Sequence, residues 1–394
     1  MPRFSAAVFL GMNPWDHAEI QDTVRFLAKA AAGVDRIYLN PPPGARGAVK
    51  NPRRLTEGLT WRAQNAAGIE VLTPPFGFTP VFLGLQDLAG AAAAAALKKI
   101  LAERYGPGWR ESTLVYASSW SYTQTGFLKA LAPRHLFFHI LDDSFAFPLI
   151  AGRPRVLAEN RKFYAYAMAE APAAAAVSGE LAAKYGQLYR RTVHVLKNGV
   201  DTEHFGRAAS APPAPEVAGL PRPVLLYTGS VNSWVDLGLL IHLAESLPKA
   251  SLVLVGHYYR GTADERLWQK LLARPNVHWL GVKPYARLPG FLAGADVLLL
   301  PRTKAEHSRA SDPLKLYEYL ASGKPVASIE LPAAAEFGDF VYTAGGPHDF
   351  PAAVARALDS HSPLKAARQA KAMEAHSWRA RWEELVRLAR AAGA

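Results

Sequence analysis

Short apolar runs rich in β-branched and aromatic residues alternate with alanine-rich stretches along this chain, and the alternation halts once and then restarts. Such runs, separated by helix-length segments, specify parallel strands joined by helical crossovers, because a strand covered on both faces needs apolar side chains throughout. Strands are expected at 4–12, 36–39, 113–117, 135–141, 174–177 and 192–197. The pattern then gives way to GRAASAPPAPEVAGLPRP at 206–223, which is rich in Ala, Pro and Gly, lacks periodicity and reads as a linker. Strands resume at 224–227, 251–256, 277–280, 297–300, 326–329 and 340–343. At 394 residues the chain exceeds one ordinary core. The expected organisation is an α/β pair of doubly wound parallel-sheet domains, 1–205 and 224–375, facing each other across a cleft with ligands at the carboxyl ends of the strands. Residues 376–394 carry Trp378, Trp382, Leu385 and Leu388 at helical spacing, and are expected as an amphipathic helix packing back toward the N-terminal domain.

Composition narrows the partners. Half the residues are hydrophobic, which excludes disorder as a global description, and the absence of cysteine excludes disulfides, thiolate metal sites and thiol nucleophiles. The opening apolar run and the run Ala91 to Ala96 are both too short to span a bilayer; the second reads as a helix. The formal charge of +12 suits nucleic acid, an anionic membrane or a phosphorylated substrate. No zinc-finger spacing, aromatic RNA-binding strand or basic heptad region accompanies the charge, so nucleic acid is not expected. Basic groups at Lys50, Arg53 and Arg54, and at Arg153, Arg155, Arg161 and Lys162, fit either a solvated surface or peripheral contact with anionic lipid. The expected location is the cytoplasm, with peripheral contact at the inner face of the cell membrane as the alternative to a purely solvated surface.

The stretch DPLKLYEYLASGKPV at 312–326 carries the most specific chemistry. Pro313 fits a first helical position behind an Asp312 cap, and Gly323 and Pro325 end the helix before an apolar strand. Ser311, Lys315, Glu318 and Ser322 share one face, while Leu316 and Leu320 point into the core. A lysine one turn into a helix suits a diphosphate, and a carboxylate a turn further on can accept from ribose hydroxyls. The alternative is a simple surface ion pair between Lys315 and Glu318.

An ordered series of motifs accompanies this stretch: FLGMNPWD at 9–16, IYLNPPP at 37–43, HILDDSFAF at 139–147, VHVLKNGVDTEHF at 193–205, YTGSVNSWVDLGLL at 227–240, LVLVGHY at 252–258 and NVHWLGVKPYARLPGFLAGADVLLLPR at 276–302. The series resembles the GT-B glycosyltransferases, most closely the bacterial family-4-like branch that includes teichuronic acid and other cell-surface polysaccharide transferases. The resemblance implies two Rossmann-like domains and transfer of a sugar, without a metal ion or cofactor, from a nucleotide-diphosphate donor of UDP or GDP type to a surface-polysaccharide or lipid-linked acceptor. It implies backbone contact with the donor phosphates at Gly229 and Ser230, base contact around Gly281 and Val282, diphosphate neutralisation by Lys315 with Arg302 and Arg309, and ribose contact by Glu318. Asp312, Leu316 and His257 complete the expected donor set.

The chain departs from that pattern in two places. Retaining members carry a Glu-x7-Glu motif whose first carboxylate would fall on Ala310, and a basic pair after the first C-terminal glycine where this chain has Val231, Asn232, Ser233 and Trp234. The stereochemical outcome is therefore open. For an inverting reaction, Asp142 and Asp143 are candidate bases, with turn formation as the alternative. His139 is either an acceptor-orienting group or a core histidine. Asn13, Trp15 and Asp16 are expected to shape the acceptor side, with Trp15 either stacking on a sugar or plugging its loop. Asn198 and Gly199 read as a tight turn. The rival readings are a non-catalytic module binding a nucleotide sugar or glycan, and a sugar-nucleotide epimerase of the same build.

Overall fold

The computed structural model describes residues 4–16, 22–41, 62–74, 86–119, 121, 124–146 and 148–393. Lys50, Arg53 and Arg54 of the expected basic surface lie outside them, as do parts of the 37–43 and 139–147 motifs. The chain divides into two compact units, Met1–Lys197 with Arg381–Ala394, and Asn198–Ala380.

Unit 1 is built on strands β1 (Ala6–Leu10), β2 (Asp35–Leu39), β3 (Arg62–Ala66), β4 (Ile69–Thr73), β5 (Thr113–Ser118), β6 (His135–Ile140), β7 (Ala173–Ala176) and β8 (His194–Val195), in the order β3-β4-β2-β1-β5-β6-β7-β8. Neighbours are parallel except β3 with β4. Every residue of β1 is fully buried, with Val8 in register with Ile37 and Val115, which explains its unbroken apolar sequence. The alanine run lies within a helix, Gln86–Tyr105, that buries Ala94, Leu97 and Leu101.

The hairpin β3–β4 carried no usable sequence signal. Its two-residue turn is Ala67-Gly68, with φ of 53° and 74°, closed by the Ala66 and Ile69 pair. Both residues take the left-handed conformation that a mirror-image hairpin turn demands, and this is usually announced by Asn-Gly or Asp-Gly. Here Asn65 sits two places early, its Oδ1 accepting from the Gly68 amide at 3.1 Å.

Unit 2 carries β9 (Val224–Thr228), β10 (Ser251–Val255), β11 (Val277–Trp279), β12 (Val297–Leu300), β13 (Val326–Ile329) and β14 (Val341–Ala344), all parallel, in the order β11-β10-β9-β12-β13-β14. The order reverses direction between β9 and β12, the switch point where doubly wound sheets bind ligands. Successive residues of a strand face opposite sides, so Leu225, Leu252 and Val297 join one core and Leu226, Val253 and Leu298 the other. Helices α1 (Leu237–Ser246) and α3 (Phe350–Ser360) cover the first face, and α2 (Leu314–Ala321) the second.

The segment expected as a linker is instead part of unit 2. Residues Thr202–Gly206 form a helix capped by Asp201, and Pro215–Ala218 a further turn. The Ala214 amide donates to Gly290 O at 2.8 Å, and Val217 is fully buried against Gly294, where a Cβ would come within 2.5 Å of Val217 Cγ2. The Pro-rich composition hid two anchoring residues, Ala214 and Val217. The units divide at Lys197, and the final helix Trp378–Ala392 gives its residues from Arg381 onward to unit 1, where Trp382 packs on Phe9 and donates to Ala32 O. No helix among the described residues is long and apolar enough to cross a membrane.

Ala67 bears the strain of the hairpin turn, because a β-carbon in left-handed backbone costs about 1–2 kcal/mol that Asn tolerates better. Ala67→Asn is expected to raise stability by about 1 kcal/mol, read as an increased urea midpoint with unchanged slope.

Candidate functional site

Three glycines strip side chains from the carboxyl edge of the second sheet. Gly229 follows β9, Gly256 follows β10 and Gly281 lies just beyond β11, with φ of 145°, 150° and 68°. The Gly229 amide donates to Val255 O at 2.8 Å, and the Gly256 amide to Gly281 O at 2.9 Å. A Cβ on Gly256 would lie 1.9 Å from Gly229 O, so the two backbones meet where no other residue fits. Ser230 is exposed and its carbonyl accepts from Tyr227 Oη at 2.9 Å; burial pushes that hydroxyl up to about 12.

Across the switch point, Arg302 follows β12. The loop after Gly229 reaches it, with Val235 bridged to Arg302 and the Thr303 amide donating to Trp234 O. The Arg302 guanidinium lies over the Trp234 ring at 4.8 Å and donates to Ser308 Oγ at 3.2 Å and Ser311 Oγ at 2.9 Å. Arg309 is exposed on the short turn Glu306–Arg309, and His257 is exposed with its ring against Tyr259. Val282 is half-buried after Gly281.

Helix α2 brings Lys315 and Glu318 to the same edge. Tyr319 pins it there, its hydroxyl accepting from the Thr228 amide at 2.7 Å, while Leu316 and Leu320 are fully buried in the core beneath. Lys315 Cε comes within 3.5 Å of the position a Cβ on Gly229 would occupy, and its Nζ donates to Glu318 Oε2 at 2.7 Å. Glu318 is buried. It acts electrostatically on Tyr285, whose hydroxyl burial, then Glu318 and Asp201, push well above its usual range. The Tyr285 ring stacks on His204 at 4.3 Å, and burial holds His204 below the usual imidazole value.

Two donor-side expectations change. Pro313, not Asp312, is the helix cap. Asp312 is buried and accepts from the Asn198 amide at 2.7 Å and from Tyr317 Oη at 2.8 Å, while its own carbonyl accepts from Asn198 Nδ2 at 2.6 Å. Asp312 and Asn198 thus tie α2 to the first residue of unit 2, in place of a donor contact and a tight turn. Leu316 is a core residue whose side chain no ligand reaches. Tyr227, Trp234, Tyr285 and Tyr319 were not legible as site-builders, because each works through a long-range contact.

In unit 1 the loop after β1 is held from below. Tyr38 Oη donates to Asn13 O at 2.8 Å, Asn13 Nδ2 to Asp22 Oδ2 at 2.9 Å, Asn40 Oδ1 accepts from the Trp15 amide at 2.8 Å, and the buried Arg25 donates to Pro14 O. Trp15 stays half-exposed with its ring edge-on to Tyr38 and Lys29 Nζ 5.8 Å from its centroid; Asp16 is exposed.

The catalytic candidates separate. His139 is 1% exposed; its Nε2 lies 2.8 Å from Leu196 O, an acceptor, so Nε2 carries the proton and Nδ1 accepts from Tyr116 Oη at 2.8 Å. Both nitrogens are used in the core, and burial lowers its pKa to about 4. The Asp143 side chain is 0% exposed and bound by Lys184 Nζ at 2.6 Å and Tyr185 Oη at 2.9 Å. These two residues are scaffold, since a general base must reach the proton it takes. Asp142 is half-buried in the turn after β6 and remains the candidate at that strand end.

Residues 222–360 match the family described as glycosyl transferases group 1. The chain is 31% identical over 173 residues to TuaH of Bacillus subtilis, whose curated name assigns it to teichuronic acid biosynthesis as a glycosyltransferase; the match spans 43% of each chain. Among solved structures, it superposes on Anabaena HepE in complex with UDP-glucose with a TM-score of 0.66 at 18% identity, over 98% of this chain and 99% of that one. An E. coli trehalose-6-phosphate structure bound with UDP-2-fluoro glucose gives 0.66 at 12% identity, with 98% and 99% covered. A trehalose-phosphate synthase from Burkholderia vietnamiensis gives 0.68 at 13%, with 98% and 100% covered. The fold is that of the GT-B glycosyltransferases.

Gly256→Ala is expected to destabilise unit 2 by on the order of 3 kcal/mol, because the new carbon meets a backbone oxygen in a strained conformation; chemical denaturation measures it. Burial of His139 makes stability depend on pH. The unfolded chain binds its proton near the usual imidazole value of 6.5 whereas the folded one stays neutral to about 4, so stability falls as pH drops through that window and levels off below it. The expected loss is about 3 kcal/mol, and His139→Gln should flatten that part of the stability profile; an unchanged profile would remove the core assignment.

Proposed function

We propose that this chain is a glycosyltransferase that takes a sugar from a nucleotide-diphosphate donor and passes it to a surface-polysaccharide or lipid-linked acceptor. The observation that carries the reading is the placement of Lys315 and Glu318 on one turn of α2 beside Gly229, at the switch point of a doubly wound sheet. The group 1 match over 222–360 and the UDP-sugar complexes of HepE and the E. coli protein support it, and favour UDP as the carrier.

The chemistry asks for little more. The bare backbone of Gly229 lets phosphate oxygens come close to the Ser230 amide, and Lys315 with Arg302 supplies positive charge where the nucleoside diphosphate departs. Cations held in place stabilise the charge that develops as the glycosidic bond breaks, so metal-independent transfer is part of the proposal. Glu318 accepts from the ribose hydroxyls, and the backbone at Gly281 and Val282 meets the base. In unit 1, Asp142 takes the acceptor proton and Trp15 offers a half-exposed ring to a sugar face. The exposed Arg153, Arg155, Arg161 and Lys162 suit an anionic lipid surface, and peripheral work at the cytoplasmic face of the membrane follows from a lipid-linked acceptor.

Thermal-shift titration with UDP, GDP, dTDP, ADP and their sugar conjugates tests the reading. One diphosphate, UDP first, should raise the melting temperature in proportion to about 2.7 kcal/mol at a hundred times Kd, and Lys315→Ala should abolish the response. Asp142→Asn should keep the shift and lose turnover of the sugar nucleotide. Binding without turnover in the native chain would make it a binding module; no shift with any nucleotide would overturn the proposal.

A further inference from the structure

We infer that Lys315 and Glu318 guard each other, so that the site rejects ligands offering only half of a nucleoside diphosphate, such as inorganic pyrophosphate or a bare nucleoside. The inference rests on the donor reading above. It concerns selectivity rather than affinity, and it follows from how the two side chains are held when no ligand is present.

The Lys315 ammonium donates to the Glu318 carboxylate at 2.7 Å, with side chains 29% and 6% exposed. Lysine therefore covers the carboxylate from solvent. The backbone beneath cannot yield, because Leu316 and Leu320 are buried in the core on one side and Tyr319 is tied to Thr228 on the other. Glu318 is buried beside Tyr285 and cannot follow its partner outward. Only the flexible stem of Lys315 can move, and it lies against the bare backbone of Gly229, where phosphates would arrive.

An isolated pyrophosphate that drew Lys315 away would leave a buried carboxylate without its cation, which is far costlier than the loss of a surface pair. A bare nucleoside would have to displace Lys315 from Glu318 and give the ammonium nothing in return. A nucleoside diphosphate supplies both replacements together, hydroxyl donors for Glu318 and phosphate oxygens for Lys315. The two halves of the ligand thus cooperate through the pair they separate. This also unites the two readings of the 312–326 stretch: the pair exists, and it is partly buried rather than a surface decoration.

Calorimetric titration of the full chain with inorganic pyrophosphate, uridine and UDP tests the guard, using the native protein, Glu318→Gln, Glu318→Asp and Lys315→Gln. Glu103→Gln, at an exposed carboxylate in unit 1, controls for net charge. Glu318→Gln should bind pyrophosphate about tenfold more tightly than native while binding UDP more weakly, since a charge-assisted hydrogen bond no longer holds the lysine. Glu318→Asp, which withdraws the carboxylate but keeps its charge, should move pyrophosphate affinity in the same direction, and covers the case in which the Gln variant fails to fold. Lys315→Gln should bind uridine at least as well as native and lose pyrophosphate. Native-like pyrophosphate affinity in both Glu318 variants, with UDP still bound by the native chain, would overturn the guard and leave the donor reading standing. Tighter pyrophosphate binding with no response to UDP would support the guard and refute UDP as the donor carrier. No binding of any of the three probes would overturn both.

Discussion

The backbone contact between Gly229 and Gly256 is the constraint from which the rest of the second unit's chemistry follows. Two strand ends that close on each other leave no room for a β-carbon, so the edge is bare peptide. A sheet edge of that kind is inert by itself. It becomes a site because Tyr319 hooks α2 onto Thr228, one residue before Gly229, and so sets Lys315 and Glu318 at a fixed distance from the exposed backbone.

Buried polar groups in this chain differ in where their partners come from. Asp312 spends its carboxylate on Asn198 and Tyr317, Asp143 on Lys184 and Tyr185, and His139 both its nitrogens on Tyr116 and Leu196. Each is fully engaged, as burial requires of a polar side chain. Glu318 differs in that its side-chain donor, Lys315, belongs to its own helix, whereas each of the others is held by at least one group from a distant element.

The strand pattern was legible because parallel strands buried on both faces have little freedom in composition; the runs at 297–300 and 326–329 coincide with β12 and β13 to the residue. Strand ends drifted where polar residues also join the ladder, as at Asp35 and Ser118. The helix over Lys315 and Glu318 was legible from spacing, whereas its true cap was not, because Asp312 is claimed by a residue more than a hundred positions away. The same limit hid Trp234 under Arg302 and the folding of 206–223 onto unit 2. Adjacent aspartates 142 and 143 look alike in sequence, and it is tertiary structure that buries Asp143 against Lys184 and Tyr185 of the helix Gly179–Tyr189 while leaving Asp142 half-buried.

The hairpin β3–β4 has a consequence for the chain's behaviour in a crowded solution. A parallel sheet of continuous apolar strands would end in a flat, sticky border ready to pair with a neighbouring molecule. Reversing the last strand allows its sequence, RAQNA, to be polar, with Ala63, Gln64 and Asn65 exposed, because an antiparallel edge strand does not need cover on both faces. The border so formed is short and hydrophilic, features that discourage edge-to-edge growth. Solubility at high concentration is thus partly entrusted to a five-residue strand and to an alanine held in an uncomfortable turn.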